Sequence, residues 1–171
     1  MAETREIRLA FMDVILFSDG AIRGGILTTD MDTRPYEFRI TSAIKPTQLQ
    51  QMLYGTSLKD YVYGELICAP LIKATKEKIS YVLTKERYIM EVRPLVAIPI
   101  VFMSYNDKAA GDGVKTINFQ MHKDYSTELS QAKVVLTPIT QKLDLMEPFE
   151  RLKLALNEVH RLGVGEKGKG G

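Results

Sequence analysis

From residue 7 to residue 17 the chain is apolar with almost no interruption, and its β-branched and aromatic content predicts a strand covered on both faces. The odd positions of this run are Ile7, Leu9, Phe11, Asp13, Ile15 and Phe17. Strand alternation therefore sets the Asp13 carboxylate on one face with large apolar side chains. Ser18-Asp19-Gly20 follows as a turn, and residues 22–41 then predict a hairpin. Ile26 and Leu27 carry its first strand. In its second, Tyr36, Phe38 and Ile40 alternate with Glu37, Arg39 and Thr41, giving one core face and one wet face. The connection between them holds Asp30 and Pro35 where a turn of type I uses such residues. Gly24-Gly25 inside the first strand predicts a bulge, or the close approach of another backbone or a ligand.

Beyond the hairpin the period changes. Pro46 suits a first helical position, and Leu49, Met52 and Leu53 recur at helical spacing. At Gly55 the helix either kinks or stops, with Thr56 or Ser57 capping a second one that carries Leu58, Tyr61, Val62, Leu66 and Ala69. Pro70 is expected to kink or end it soon afterwards. Residues 79–83, 88–92 and 95–103 read as further strands, although Pro94 and Pro99 suit an edge or a bulge. Residues 104–113 read as a loop and 114–121 as an alternating strand. Residues 125–139 fit either a short helix or a strand. The last element is a helix with capping-box character at Asp144 and Glu147 and an apolar stripe of Leu145, Phe149, Leu152, Leu156 and Val159. The expected fold is α/β or α+β, a mixed, largely antiparallel sheet with helices packed on it. Residues 1–162 form one globular domain in this reading, and 163–171 a flexible Gly/Lys tail.

Composition narrows the class without naming an activity. With 171 residues, 45% hydrophobic and 26% charged, the chain has enough apolar content for a substantial core without disulfides. Cys68, the single cysteine, lies between Ile67 and Ala69 and reads as a buried, inert thiol. The 23 basic and 21 acidic residues are well mixed, which argues against a general nucleic-acid coat while leaving room for a local patch. No apolar run reaches the roughly 18 residues of a membrane span, and acidic residues precede the first apolar run, so no membrane partner and a cytoplasmic location are expected.

The candidate chemistry starts with carboxylates. Asp13 on the first strand and Glu65 in the helical region could hold paired divalent ions for hydrolysis, which would require a third acid near the end of the fourth strand. Residues 79–83 contain none, and Glu86 falls in the next turn. The plain alternative is an Asp13 bonded to backbone or paired with Arg39 or Arg93. Gly24 and Gly25 are the candidate ligand-binding residues, without the pattern of a phosphate loop around them. His122 and His160 lack zinc spacing. His122 reads as an exposed strand-end residue, and His160 as a favourable charge at a helix C-terminus. Tyr54, Tyr61 and Tyr63 gather near Lys59, a mixture that can stack bases but that more simply lines a core edge. No cofactor is expected, except divalent metal in the hydrolytic case.

The segments GGILTTDMDTRPYEFRIT and KPTQLQQMLYG resemble a group of small, uncharacterised bacterial proteins with a similar hairpin followed by a proline-started helix. That resemblance spans about the first hundred residues and implies no function. The element order, with Asp13 and Glu65, also resembles the ribonuclease H-like folds, which would imply a metal-dependent nuclease or a degenerate relative. Three functions are thus open. One is a non-enzymatic binding or assembly module, with a protein partner or a second copy meeting a sheet edge or the terminal helix. The others are that nuclease, and a small-ligand sensor.

Overall fold

The computed structural model describes residues 6–106 and 116–164. Its centre is one six-stranded sheet in the order β3-β2-β1-β4-β5-β6. β1 (Leu9–Leu16), β2 (Ile22–Thr29) and β3 (Pro35–Ile40) form an antiparallel meander, with the β2–β3 pair as the expected hairpin. Asp30 shapes the hairpin's turn, its Oδ1 accepting from the backbone N–H of Asp32 and Arg34. β4 (Tyr81–Thr84) runs parallel to β1, β5 (Ile100–Asn106) parallel to β4, and β6 (Thr116–Gln120) antiparallel to β5. The fold is mixed α/β.

Alternation along β1 divides the core. Ala10, Met12 and Val14 face a cluster with Val62, Ile67, Leu71 and Ile72, while Leu9 and Phe11 face one with Leu136, Phe149, Leu152 and Leu156. The first layer comes from residues 60–74. Before it, α1 (Gln48–Tyr54), closed at its start by a Thr47–Gln50 capping box, gives way at Gly55 to a 3₁₀ turn. Pro46 thus precedes the cap rather than starting the helix. A π-helix at Asp60–Cys68 then runs directly into α2 (Ala69–Ala74). Pro70 neither ends nor breaks this element: the π-type bond from Ala69 N–H to the Gly64 carbonyl opens the turn just before it, which accommodates a ring that would clash in a tight α turn.

Two expected strands are corrected. Residues 87–90 form the short helix α3 (Arg87–Met90), which buries Ile89 and Met90. A 3₁₀ turn at Arg93–Leu95 follows, and β5 begins only after Pro99, where backbone donors are again continuous. At its far end β5 extends to Asn106, into the stretch expected as a loop, whose remainder at 107–113 lies outside the described residues. The ambiguous residues 125–139 are helical, as a 3₁₀ turn (Lys123–Glu128) and α4 (Leu129–Thr140).

The second layer is α4 and α5 (Glu147–Arg161). Phe149, Leu152 and Leu156 of α5 are buried on the sheet, so its apolar stripe is not free to meet another molecule. Asp144 accepts from Met146 N–H, and Glu147 pairs with Arg151, so the expected capping box does not form. Of the expected tail, Gly163 and Val164 continue the turn after α5, and the rest lies outside the described residues. Among the described residues, no helix is long and apolar enough to cross a membrane.

Candidate functional site

Pairing between β1 and β4 stops at Phe11–Leu83, and Asp13 stands just beyond it, where β4 turns away. β1 connects to one side of the sheet and β4 to the other, so the carboxyl ends of these parallel neighbours lie at the kind of switch in strand order where open sheets place ligands. Asp13 is 6% exposed. Its Oδ1 accepts from the backbone N–H of Val14 at 2.8 Å. Burial pushes its carboxyl up to about 6; Glu86 adds to the rise, while the Val14 bond and the ammoniums of Lys85 and Lys153 oppose it. Glu86 sits where β4 leads into α3, with its N–H bonded to Thr84 Oγ1 at 3.0 Å. Lys85 reaches from the same turn over the ring of Phe149, and Lys153 comes from α5. Neither Arg39 nor Arg93 pairs with Asp13, since they bind Glu37 and Glu128.

Glu65 is not brought to Asp13. It is exposed on the π-helix, whose buried residues pack on the face opposite the one shared by Leu9 and Phe11, and it acts electrostatically on Tyr61. Among the described residues no three His, Cys, Asp or Glu side chains cluster to hold a metal ion. Gly25 is the register partner of Asp13, and Gly24 that of Val14. Helix side chains occupy the space over both glycines. A Cβ at Gly25 would lie 2.9 Å from Leu156 Cδ2 and 3.0 Å from Leu152 Cδ1, and one at Gly24 would overlap Ile67 Cγ2. β1 and β2 pair without a register shift at these glycines, so no bulge forms there, and the close contact is made by side chains of the two helical layers rather than by another backbone.

A second polar cluster lies further along β2. Arg23 is fully buried; its Nε donates to His160 Nδ1 at 2.9 Å and its Nη1 to the Thr41 carbonyl at 3.2 Å. Because Nδ1 accepts, Nε2 carries the proton that faces Asp19 Oδ2 at 2.9 Å. The ring stacks on Phe17 at 3.8 Å. His160 thus has partners well beyond a helix dipole, and Arg23, in an otherwise apolar strand, was the signal for it. His122 is buried rather than exposed: Nδ1 accepts from Asp124 N–H, and Nε2 lies 3.4 Å from Glu91. Cys68 is fully buried, and burial, then Asp13, pushes its thiol up to about 12.

The tyrosines line a groove of about 820 Å³ between the π-helix and residues 88–95. Tyr54 and Tyr61 stack at 4.9 Å, and Tyr63 meets Tyr88 edge-on at 5.1 Å. Glu65 belongs to this groove.

No family model matches the sequence, and no curated protein matches it. Nine chains of solved structures do. Two are crystal structures of Ciona intestinalis endonuclease V, in complex with a 23mer and a 24mer DNA containing an inosine followed by a ribo-adenosine. Each is 13% identical, with a TM-score of 0.41, over 80% of this chain and 58% of theirs. This chain therefore spans less than two thirds of their length, and a likeness of that degree assigns no residue a role.

Proposed function

We propose that the protein is a non-enzymatic binding module on a ribonuclease H-like scaffold, a degenerate relative of metal nucleases. The order β3-β2-β1-β4-β5, with only β2 reversed, supports the scaffold. The observation that carries the reading is the company Asp13 keeps. Hard divalent ions require several clustered oxygen ligands. Here Lys85 and Lys153 direct positive charge at Asp13, and Glu65 faces a groove on the other side of the sheet. Among the described residues no third acid joins Asp13 and Glu86, as a two-ion site would require. Incubation with single- and double-stranded DNA and RNA in Mg²⁺ or Mn²⁺ tests this. The expected result is intact nucleic acid; cleavage that disappears in Asp13→Asn would overturn it.

The nuclease reading keeps one specific support, a second carboxylate, Glu86, near enough at the carboxyl ends of β1 and β4 to raise the Asp13 pKa by repulsion. In that case cleavage would be lost in Glu86→Gln as well. The sensor reading loses Gly24 and Gly25 as pocket lining, because Ile67, Leu152 and Leu156 cover them.

A further inference from the structure

The groove between the π-helix and residues 88–95 has two kinds of wall. Aromatic faces come from Tyr54, Tyr61, Tyr63 and Tyr88, and negative charge from Asp60, Glu65 and Glu91, the last also 3.4 Å from His122 Nε2. The walls meet at Gly64 and Val92, where a Cβ on Gly64 would lie in ordinary contact with Val92 Cγ2 at 3.6 Å. The electron-rich faces of tyrosine rings attract cations within about 6 Å of their centroids. One cation already uses them: Lys59 Nζ lies 4.9 Å from the centroid of Tyr88 and 5.6 Å from that of Tyr63. The π-helix that presents Tyr61, Tyr63 and Glu65 is a rare conformation that recurs at functional sites.

We propose that this groove binds an aliphatic polyamine, its methylene stem against the tyrosine rings and its ammoniums at the carboxylates, with Lys59 as the resident competitor on Tyr63 and Tyr88. Aromatic rings select an alkylammonium over a hydrated metal ion, and carboxylates on both walls, Asp60 and Glu65 on one and Glu91 on the other, favour a ligand with more than one charge. The proposal rests on the binding-module reading and names its ligand class.

Calorimetric titration of the full chain with spermidine, at constant ionic strength, is the test. Saturable binding is expected, weakened about tenfold in Glu65→Gln and in Tyr61→Leu, both on the groove wall, and strengthened about threefold in Lys59→Met, which frees the two rings. The gain in Lys59→Met is a readout that general loss of structure cannot produce, and thermal melting of each variant confirms folding. No saturable heat, displacement by Mg²⁺ at equal charge concentration, or equal affinity in all variants would overturn the polyamine. None of those results changes the nucleic-acid incubation with Asp13→Asn, so failure here is separable from failure of the binding-module reading.

Discussion

Nε of the fully buried Arg23 donates a 2.9 Å hydrogen bond to Nδ1 of His160, tying β2 to the last turn of α5. The bond needs an unprotonated Nδ1, and the same ring passes its Nε2 proton toward Asp19. Truncation of the histidine leaves a buried guanidinium short of a partner, and one of its nitrogens, Nη2, already has none among the described residues. His160→Ala is expected to cost about 1–3 kcal/mol in urea unfolding, and Arg23→Ala at least as much, because it strands both His160 Nδ1 and the Thr41 carbonyl. Asp19 is held below the usual carboxylate range, first by the Ala21 N–H and then by His160. Its contribution is therefore present above the ordinary aspartate pKa and fades as pH falls through the lowered folded value. Unchanged stability in His160→Ala would show that the chain of contacts is incidental.

Gly24 permits the closest approach of the π-helix to the sheet. Gly24→Ala is expected to destabilise by about 1–3 kcal/mol through overpacking against Ile67, and Gly25→Ala by a smaller part of that range against the more mobile leucine termini. A double-mutant cycle with Ile67→Ala checks the cause. The pair should cost less than the sum of the single changes, and strict additivity would contradict a direct clash.

Asp13 makes its own stability signature. Its folded pKa of about 6 lies above the ordinary 3.8, so between those values the native state binds more protons than the unfolded chain. Stability therefore falls as pH rises through that window, by about 2–3 kcal/mol in all. Asp13→Asn keeps an oxygen for the Val14 N–H and removes the charge. It is expected to be about 2–3 kcal/mol more stable than the parent at pH 7 and nearly equal to it at pH 4. Unfolding curves at the two pH values are the measurement, and a variant less stable at both would contradict the assignment.

The terminal helix separates packing from association. Leu152 is buried against the sheet, whereas Leu154 is 69% exposed. Leu152→Ala should cost about 2–5 kcal/mol, and Leu154→Ala should stay within about 0.5 kcal/mol. A Leu152 variant that shifted oligomeric state with unchanged stability would return this face to the surface.

These contrasts mark what the residue pattern could carry. The period-2 run through Asp13, the hairpin after it and the stripe from Phe149 to Leu156 each stand in the structure where alternation or helical spacing puts them, because burial on one face fixes their register. Residues 88–92, expected as a strand, did not follow their apolar content. Four residues carry little period, and the turn after Thr84 made them a helix. Asp13 was legible as an acid in an apolar run. Its company was not, since Lys85 follows β4 and Lys153 lies on α5, and only tertiary folding brings them near. The groove was half legible: Tyr54, Tyr61 and Tyr63 stood together in sequence, but their partner Tyr88 comes from an element expected as a strand.

Calorimetric titration of Mn²⁺ into the parent protein and Asp13→Asn tests most directly whether the carboxyl ends of β1 and β4 form a metal site. With no cluster of three acids at Asp13 among the described residues, the two proteins are expected to give the same heats. A saturable Mn²⁺ isotherm in the parent that is absent from Asp13→Asn would contradict the account.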